Sequence, residues 1–481
     1  MVYFLIPLEK GRLFKEHFPF VLKITNGKVR KDRVMNAQSH FDNGVEAAHR
    51  GDALQAIDFF RQAILLKSDY AEAYNAIGAL LINMNHLSQA EYYLHRAIEF
   101  KDNYHEAFYN LGTLFNKIGL LYEAEICLHE AINLDPNFPE AHFRLGMVFK
   151  QMERLEKAET HLCKAVELRP NFKEADFALG ILYLLRGEYE KGWKRYELRR
   201  KIFDSFDPGI SHWEIKDLIG EKVVLFHEQG FGDTIHFSRY VKEITKVAAE
   251  VVLLVPKQLE RIMSSSLKNI TIHSDEKMVG EYKFSCPLPT LPFLFNTTLH
   301  TIPKSIPYIK INNDVIEKWR NIVEKEINLN KYKVGVAWAG NPNHKNDRNR
   351  SIPFGLFKQL FSLKVVSWIS LQVDERVNDL RTFPNEVIDF HEYMSDFAET
   401  AGLIENIDLI ITVDTAVAHL AGAMGKETWL LLPIDPDWRW QTQCQNSPWY
   451  PTIRIFRQLH IGDWQEVLAR VIVALDAKLK K

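Results

Sequence analysis

Four cysteines in 481 residues, Cys127, Cys163, Cys286 and Cys444, stand far apart and form no C-x-x-C pair. Their scarcity excludes a disulfide framework and a Cys-rich zinc site, and it suits a reducing compartment. Charge of one sign is also missing. Sixty basic residues against 62 acidic ones leave a formal charge of −2, so the chain as a whole has no polycationic footprint for nucleic acid. No charge-free apolar run approaches the ~20 residues of a spanning helix. The stretch Met1 to Leu8 is apolar without a basic flank or a cleavage-like site, which predicts a soluble cytoplasmic protein with no transmembrane segment. Glycine (23) and proline (19) are not in excess, and 46% hydrophobic with 25% charged residues is ordinary, which excludes collagen-like and disordered classes. At ~150 residues per domain, the length predicts roughly three folded units.

What is present, first, is a repeat. Glycine recurs every 34 residues at Gly44, Gly78, Gly112, Gly146 and Gly180. Alanine keeps the same step at Ala56, Ala90, Ala124 and Ala158, and again at Ala63, Ala97, Ala131 and Ala165. Large apolar residues hold further phases: Phe60, Leu94, Leu128, Leu162 and Tyr196, then Leu81, Phe115, Phe149 and Tyr183. This is the pattern of stacked helical hairpins, where small residues let two helices approach and large ones fill the gap to the next pair. Pro136 and Pro170 sit where a second helix should stop. On Gly112, Phe115, Ala124, Leu128, Ala131 and Pro136 the segment 37–200 resembles the tetratricopeptide repeat family, in about five copies. The resemblance implies a concave surface that binds a protein partner; contact between copies of the chain is the alternative use. The first copy has His40 and Asn43 at apolar positions and the fifth has Gly192 and Arg199 in place of alanine, as terminal caps do.

Before the array, residues 1–36 hold eight basic residues (Lys10, Arg12, Lys15, Lys23, Lys28, Arg30, Lys31 and Arg33) against three acids. They read as a solvated lead-in, or as a surface for an acidic partner or anionic lipid. After it, the period is lost over 201–221, and Asp207-Pro208-Gly209 marks a linker turn. Short β-rich runs then alternate with helical stretches: Lys222–Phe226, Val251–Val255, Ile270–His273, Lys333–Trp338, Val365–Leu371, Val387–Phe390, Leu409–Val413, Thr428–Leu432 and Ile453–Phe456. Such alternation predicts parallel α/β sheets. The Pro-rich passage Pro287 to Pro307 and a helical pattern from Asp314 to Ile327 divide the region into halves, 222–312 and 313–481.

Three segments carry candidate chemistry. The first strand runs into Glu228-Gln229-Gly230-Phe231-Gly232-Asp233-Thr234, where glycines let the backbone approach a ligand and Asp233 stands at a helix start. Asp233 is a helix cap on one reading and a general base on the other. Asp414-Thr415-Ala416 opens a small-residue helix through His419 to Gly425, a seat where exposed backbone N–H groups could hold phosphate; an ordinary capping pair is the alternative. The loop Ala339 to Pro353 gathers Lys345, Arg348 and Arg350 at the carboxyl end of a strand, where cations could neutralise a diphosphate. His419 reads as a donor contact or as a helix-packing histidine, and the Trp438-Arg439-Trp440 run as a stack for a base or sugar or, as aromatics near a proline turn more often are, as packing.

Taken together, Gly230-Phe231-Gly232-Asp233-Thr234, Asn349-Arg350-Ser351-Ile352-Pro353, Asp414-Thr415-Ala416-Val417-Ala418-His419 and Ser447-Pro448-Trp449-Tyr450-Pro451 resemble glycosyltransferase family 9, the heptosyltransferase-like enzymes. That resemblance implies a GT-B fold of two Rossmann-like domains facing a cleft, behind the helical solenoid. It implies Asp233 as the acceptor-activating carboxylate. Lys345, Arg348, Arg350, Asp414, Thr415, Ala416 and His419 fall on the donor side, with Glu228, Gln229, Gly230, Gly232 and Thr234 in the acceptor-side loop. Ala416 in place of glycine and the His227-Glu228-Gln229 lead-in depart from many heptosyltransferases, which argues against heptose as the sugar.

The reaction so implied is metal-independent inverting displacement from a nucleotide-sugar, with no cofactor and no D-x-D motif in a plausible place. The acceptor is expected to be a protein hydroxyl selected by the array, a layout like that of tetratricopeptide O-linked sugar transferases and flagellin-modifying transferases. A lipid-linked or polysaccharide acceptor, and a non-catalytic scaffold, stay open.

Overall fold

The computed structural model describes residues 35–203, 214–275, 277, 282–327, 331–382, 386–442 and 444–480. The basic run within 1–34 and the Asp207-Pro208-Gly209 turn lie outside them.

Five helical hairpins come first. They are α1 (Ala37–His49) with α2 (Ala53–Leu66), α3 (Ala71–Asn83) with α4 (Leu87–Phe100), α5 (His105–Ile118) with α6 (Leu121–Leu134), α7 (Pro139–Gln151) with α8 (Leu155–Leu168), and α9 (Lys173–Leu185) with α10 (Tyr189–Tyr196). The 34-residue step has a direct steric cause. A Cβ on Gly78 would lie 2.6 Å from Leu94 Cγ, on Gly112 2.7 Å from Leu128 Cγ, and on Gly146 2.8 Å from Leu162 Cγ. Each large side chain therefore occupies the place of the side chain its glycine lacks, and the flanking alanines, Ala90, Ala124 and Ala158 among them, are wholly buried. α6 and α8 stop two residues before Pro136 and Pro170.

After the one-turn α11 (Arg199–Ile202), a first parallel sheet is built from β1 (Lys222–Phe226), β2 (Glu250–Leu254), β3 (Thr271–His273) and β4 (Phe284–Pro287), in the order β3-β2-β1-β4. Its connections carry α12 (Phe231–Phe237), α13 (Val241–Ile244) and α14 (Lys257–Ser266), and α15 (Leu291–Leu294) and α16 (Asn313–Glu326) lead out of it. The second sheet, also parallel, has the order β10-β9-β8-β5-β6-β7. It consists of β5 (Tyr332–Ala337), β6 (Val366–Ser370), β7 (Val387–Asp389), β8 (Leu409–Val413), β9 (Thr428–Leu432) and β10 (Ile453–Arg457). Interleaved are α17 (Asp347–Arg350), α18 (Phe354–Phe357), α19 (Phe397–Glu405), α20 (Ala416–Met424) and the closing α21 (Trp464–Leu479).

Every strand run read from the sequence is a strand within about a residue; β4, which runs into the first proline of the Pro-rich passage, is an additional strand. It matters because β4 and β2 flank β1 on opposite sides, which makes the carboxyl end of β1 a topological switch point. In the second sheet the strand order reverses between β5 and β8. Ligand crevices of open α/β sheets form at such points. The three motif segments emerge from β1, β5 and β8.

The fifth hairpin corrects one expectation. It reads as a terminal cap of the array, yet it does not end the packing: Tyr189, Trp193 and Tyr196 are each 2% exposed and Arg199 is fully enclosed. One apolar cluster runs from Leu121 through Trp193 and Leu225 to Ile455, so the end of the solenoid is packed onto both sheets. Arg199, one of the departures from the repeat pattern, lies in that seam, paired with Glu228 ahead of Asp233. Among the described residues, no helix is long and apolar enough to cross a membrane.

Candidate active site

Gln229 turns the chain out of β1 in a left-handed conformation (φ 69°), and Gly230 becomes the N-cap of α12. Asp233, in the first turn, divides its two carboxylate oxygens. Oδ2 accepts from the Gly230 backbone N–H at 3.0 Å, while Oδ1 forms an ion pair with Arg439. The capping role and the site role are thus filled by one side chain. Burial pushes the Asp233 carboxyl above its ordinary range and Asp437 adds to this, against the lowering by Arg439 and the turn N–H. Thr234 is buried and donates to Gly230 O at 3.2 Å.

Across from it lies the start of α20. Gly232 faces it so closely that a Cβ there would sit 2.7 Å from His419 Cδ2 and 3.6 Å from Ala416 Cα. Thr415 is the N-cap of α20 but gives it no side-chain hydrogen bond, so the first-turn N–H groups are left for another acceptor. Asp414 precedes it, its carboxyl raised to about 6 by burial and by repulsion from Asp437. His419 Nδ1 is 3.0 Å from the Tyr450 hydroxyl, which is also 3.1 Å from His236 Nδ1. Burial holds both imidazoles well below their ordinary pKa, hence neutral.

Arg350 closes the third side. Its Nη1 donates to Asp414 O at 3.0 Å, and its guanidinium lies on Gly340, where a Cβ would be 2.5 Å from Nη2. Only glycine fits beneath it. Of the other cations in the loop, Lys345 is exposed, and Arg348 is turned to the solenoid, donating to Ile118 O at the end of α5 (3.1 Å). His344, next to Lys345, is lowered by burial and by Arg350, and feels Asp437 and Asp233.

In the loop after β1, Gln229 and Gly230 are exposed. Glu228 is only 7% exposed and is held by Arg199 of the solenoid at 3.1 Å.

The segment Asp435 to Gln441 was not assigned to the site by its sequence, and it supplies the missing charge. Arg439 is buried, bonded to Asp437 Oδ1 (2.8 Å) as well as to Asp233, and lies over the rings of Trp438 and Phe237. The available signal was an arginine between two tryptophans. One expectation is corrected as well: Asp435-Pro436-Asp437 is a D-x-D run, and it stands beside Asp233. Its carboxylates each hold a cation, Lys150 at 2.5 Å and Arg439 at 2.8 Å. Among the described residues no cluster of His, Cys, Asp and Glu is arranged to hold a metal. Arg439 Nε is a buried donor without a hydrogen-bond partner, while Arg350 Nε lies 3.6 Å from Asp347 Oδ1. A buried guanidinium N–H left without a partner beside an open helix N-terminus favours an anion.

Comparison with known proteins bears mainly on the array. A family model described as a tetratricopeptide repeat matches residues 139–172, the α7–α8 hairpin. One described as the Est1 DNA/RNA binding domain matches residues 56–125, a stretch whose nine acidic and five basic residues oppose binding to a phosphate backbone. Protein FlbA of Caulobacter vibrioides is 23% identical over 329 residues, 61% of this chain and 53% of FlbA. The chain therefore spans about half the length of that relative. Among solved structures, MamA 41-end of Desulfovibrio magneticus RS-1 is 21% identical with a TM-score of 0.31, over 34% of this chain and 96% of that solved chain. The pilF protein of Pseudomonas aeruginosa is 17% identical with a TM-score of 0.35, over 44% of this chain and 84% of that one. The chain is a tetratricopeptide-repeat solenoid followed by an α/β region of two parallel sheets.

Proposed function

We propose that the protein is a glycosyltransferase of GT-B architecture, resembling family 9, which moves a sugar from a nucleotide-sugar to a protein hydroxyl presented by the solenoid. The observation that carries this reading is the convergence of three distant segments. The Asp233 turn touches the start of α20 through Gly232 and His419, and Arg350 binds the backbone of Asp414. A carboxylate of raised pKa, a guanidinium and an uncapped helix start then lie together at the switch points of both sheets.

In the proposed reaction Asp233 takes the proton of the acceptor hydroxyl. The acceptor oxygen bonds to the anomeric carbon from the face opposite the phosphate, and the bond from that carbon to the phosphate oxygen breaks with inversion. Arg350 and the N–H groups of Ala416 and Val417 meet the charge growing on the departing nucleotide. Burial makes Asp233 a better base than a helix-start carboxylate in water. Joining the acceptor-binding array to the crevice raises the local acceptor concentration. No step is assigned to a metal, since both carboxylates of the Asp435–Asp437 run are occupied by cations.

The Asp233–Arg439 ion pair also favours a second reading, a binding scaffold whose transferase-like half does not turn over. A thermal-shift screen of ADP-, UDP-, GDP- and CMP-linked sugars, followed by intact mass of co-expressed candidate acceptors, separates the two. Transfer predicts stabilisation by one donor class and a sugar-sized increment on a polypeptide that vanishes in Asp233→Ala. An increment confined to lipid or glycan fractions would move the acceptor, and no stabilisation by any donor would leave the scaffold.

A further inference from the structure

The loop from Asp435 to Gln441 has two sides. Asp437 and Arg439 face the Asp233 carboxylate. The residues at 435, 438 and 441 face the solenoid instead. Asp435 accepts from Lys150 of α7 at 2.5 Å, and Lys150 is only 9% exposed. Trp438 is met edge-on by Trp193 of α10 (ring centroids 5.2 Å) and by Tyr196 (6.0 Å). Gln441, itself in a left-handed conformation (φ 48°), places its Nε2 where a side chain on Gly187 would stand, 2.8 Å from that Cβ position. The array thus grips every third residue of the loop, and Arg439, between two of them, pairs with the carboxylate.

A non-glycine residue at positive φ is held only where its surroundings over-determine it. Here the solenoid closes one side at Gly187, and Arg457 Nη2 holds the Gln441 carbonyl on the other at 2.5 Å. Trp193 is fixed in turn by its own hydrogen bond to Thr297 O (2.8 Å) in the first half of the α/β region. The guanidinium of Arg439 lies 4.5 Å from the centre of the Trp438 ring, so the ring that the solenoid holds is the platform on which Arg439 rests.

Resting on the transferase reading, we infer that the solenoid is a working part of the reaction centre. Through Lys150, Trp193 and Tyr196 it fixes the Asp435–Gln441 loop, and with it Arg439, the positioning residue that aims the Asp233 carboxylate. A partner that shifts the fourth or fifth repeat then alters the rate of transfer as well as the supply of acceptor.

The groups facing Asp233 are Arg439 and Asp437 from the loop, Tyr196 from the solenoid and His344 from the loop after β5. The test reads Asp233 directly, in full-length protein labelled with γ-13C aspartate, the resonance assigned by its loss in Asp233→Asn. Lys150→Met and Trp193→Phe are each expected to raise the titration midpoint of Asp233 by about half a unit or more, as its grip on Arg439 loosens. Lys150→Arg should restore the wild-type value. Lys164→Met, at an exposed pair with Glu167 on the same array, should leave it unchanged. With the donor found by thermal shift, Lys150→Met is expected to lower kcat about five-fold or more with little change in donor KM. An unmoved Asp233 midpoint in both Lys150→Met and Trp193→Phe, with native circular dichroism, overturns the inference. Absence of transfer by the wild type sinks the transferase reading instead, and the carboxyl titration still decides the coupling by itself.

Discussion

Arg199 and Glu228 meet in an enclosed ion pair that joins the last turn of the solenoid to the loop in front of Asp233. Arg199 Nε lies 3.1 Å and 3.2 Å from the two carboxylate oxygens, Nη2 donates to Thr290 Oγ1 at 2.7 Å, and the arginine has no exposed surface. The residue that breaks the repeat pattern is the one that fastens the array.

Removing one partner of a buried pair leaves the other as an uncompensated charge, which costs about 3–5 kcal/mol, whereas replacing both is often close to neutral. Arg199→Met should therefore lower stability by about that amount in urea denaturation. Arg199→Met with Glu228→Leu should recover part of it, because Glu197, the second carboxylate on Arg199, then stands without its cation. Equal losses in the single and double variants would show that packing, not charge, makes this contact.

Inside the array, His142 and His161 face each other Nδ1 to Nδ1 at 3.1 Å, and His142 Nε2 is 3.2 Å from Pro136 O. That geometry makes His142 donate from Nε2 and accept at Nδ1 from the Nδ1–H of His161, which requires the His142 ring neutral. Burial, then the neighbouring His142 and His129, lowers His161 to about 4. Since that folded value lies below the unfolded value of about 6.5, the stability it lends is full above about pH 6.5 and is lost as pH falls towards 4. The urea midpoint of the wild type should fall over this window. His161→Phe should flatten the fall.

Gly232→Ala is predicted to push α12 and α20 apart, because the added methyl would meet the His419 ring at 2.7 Å. Overpacking of this kind costs about 1–3 kcal/mol. The informative reading is the donor-induced thermal shift, which should shrink by more than the loss of stability alone explains. A full donor shift in this variant would remove the crevice between the two helix starts from the binding site.

Arg350→Lys is predicted to behave like Arg350→Ala in that assay. The flat guanidinium lies on Gly340 while Nη1 reaches Asp414 O at 3.0 Å. An ammonium has no planar fork with which to keep both contacts. Retention of the donor shift by the lysine variant would mean that charge alone suffices there.

Much of this architecture was legible beforehand for reasons that particular residues make plain. Gly112 and Leu128 announce a hairpin because the glycine is empty where the leucine must go. Leu409–Val413 announces a buried strand by its unbroken β-branched and aliphatic run. β4 stayed hidden because Phe284-Ser285-Cys286-Pro287 opens a proline-rich passage; as an edge strand bonded only to β1, it tolerates Pro287 at its end. The positions of Asp233, Arg350 and Asp414 could be read as ends of strands. That Arg348 would turn to Ile118, and that Glu228 would be taken by Arg199, could not.

The sequence by itself determined the 34-residue solenoid, the strands and the loops that leave them, since helix period, strand alternation and turn chemistry are settled among residues close in the chain. Which charges meet was decided only in three dimensions. Asp233 and Arg439 stand 206 residues apart, and their pairing depends on how two sheets and the last hairpin exclude water around them. Burial and charge proximity act through space, with no periodic trace along the chain.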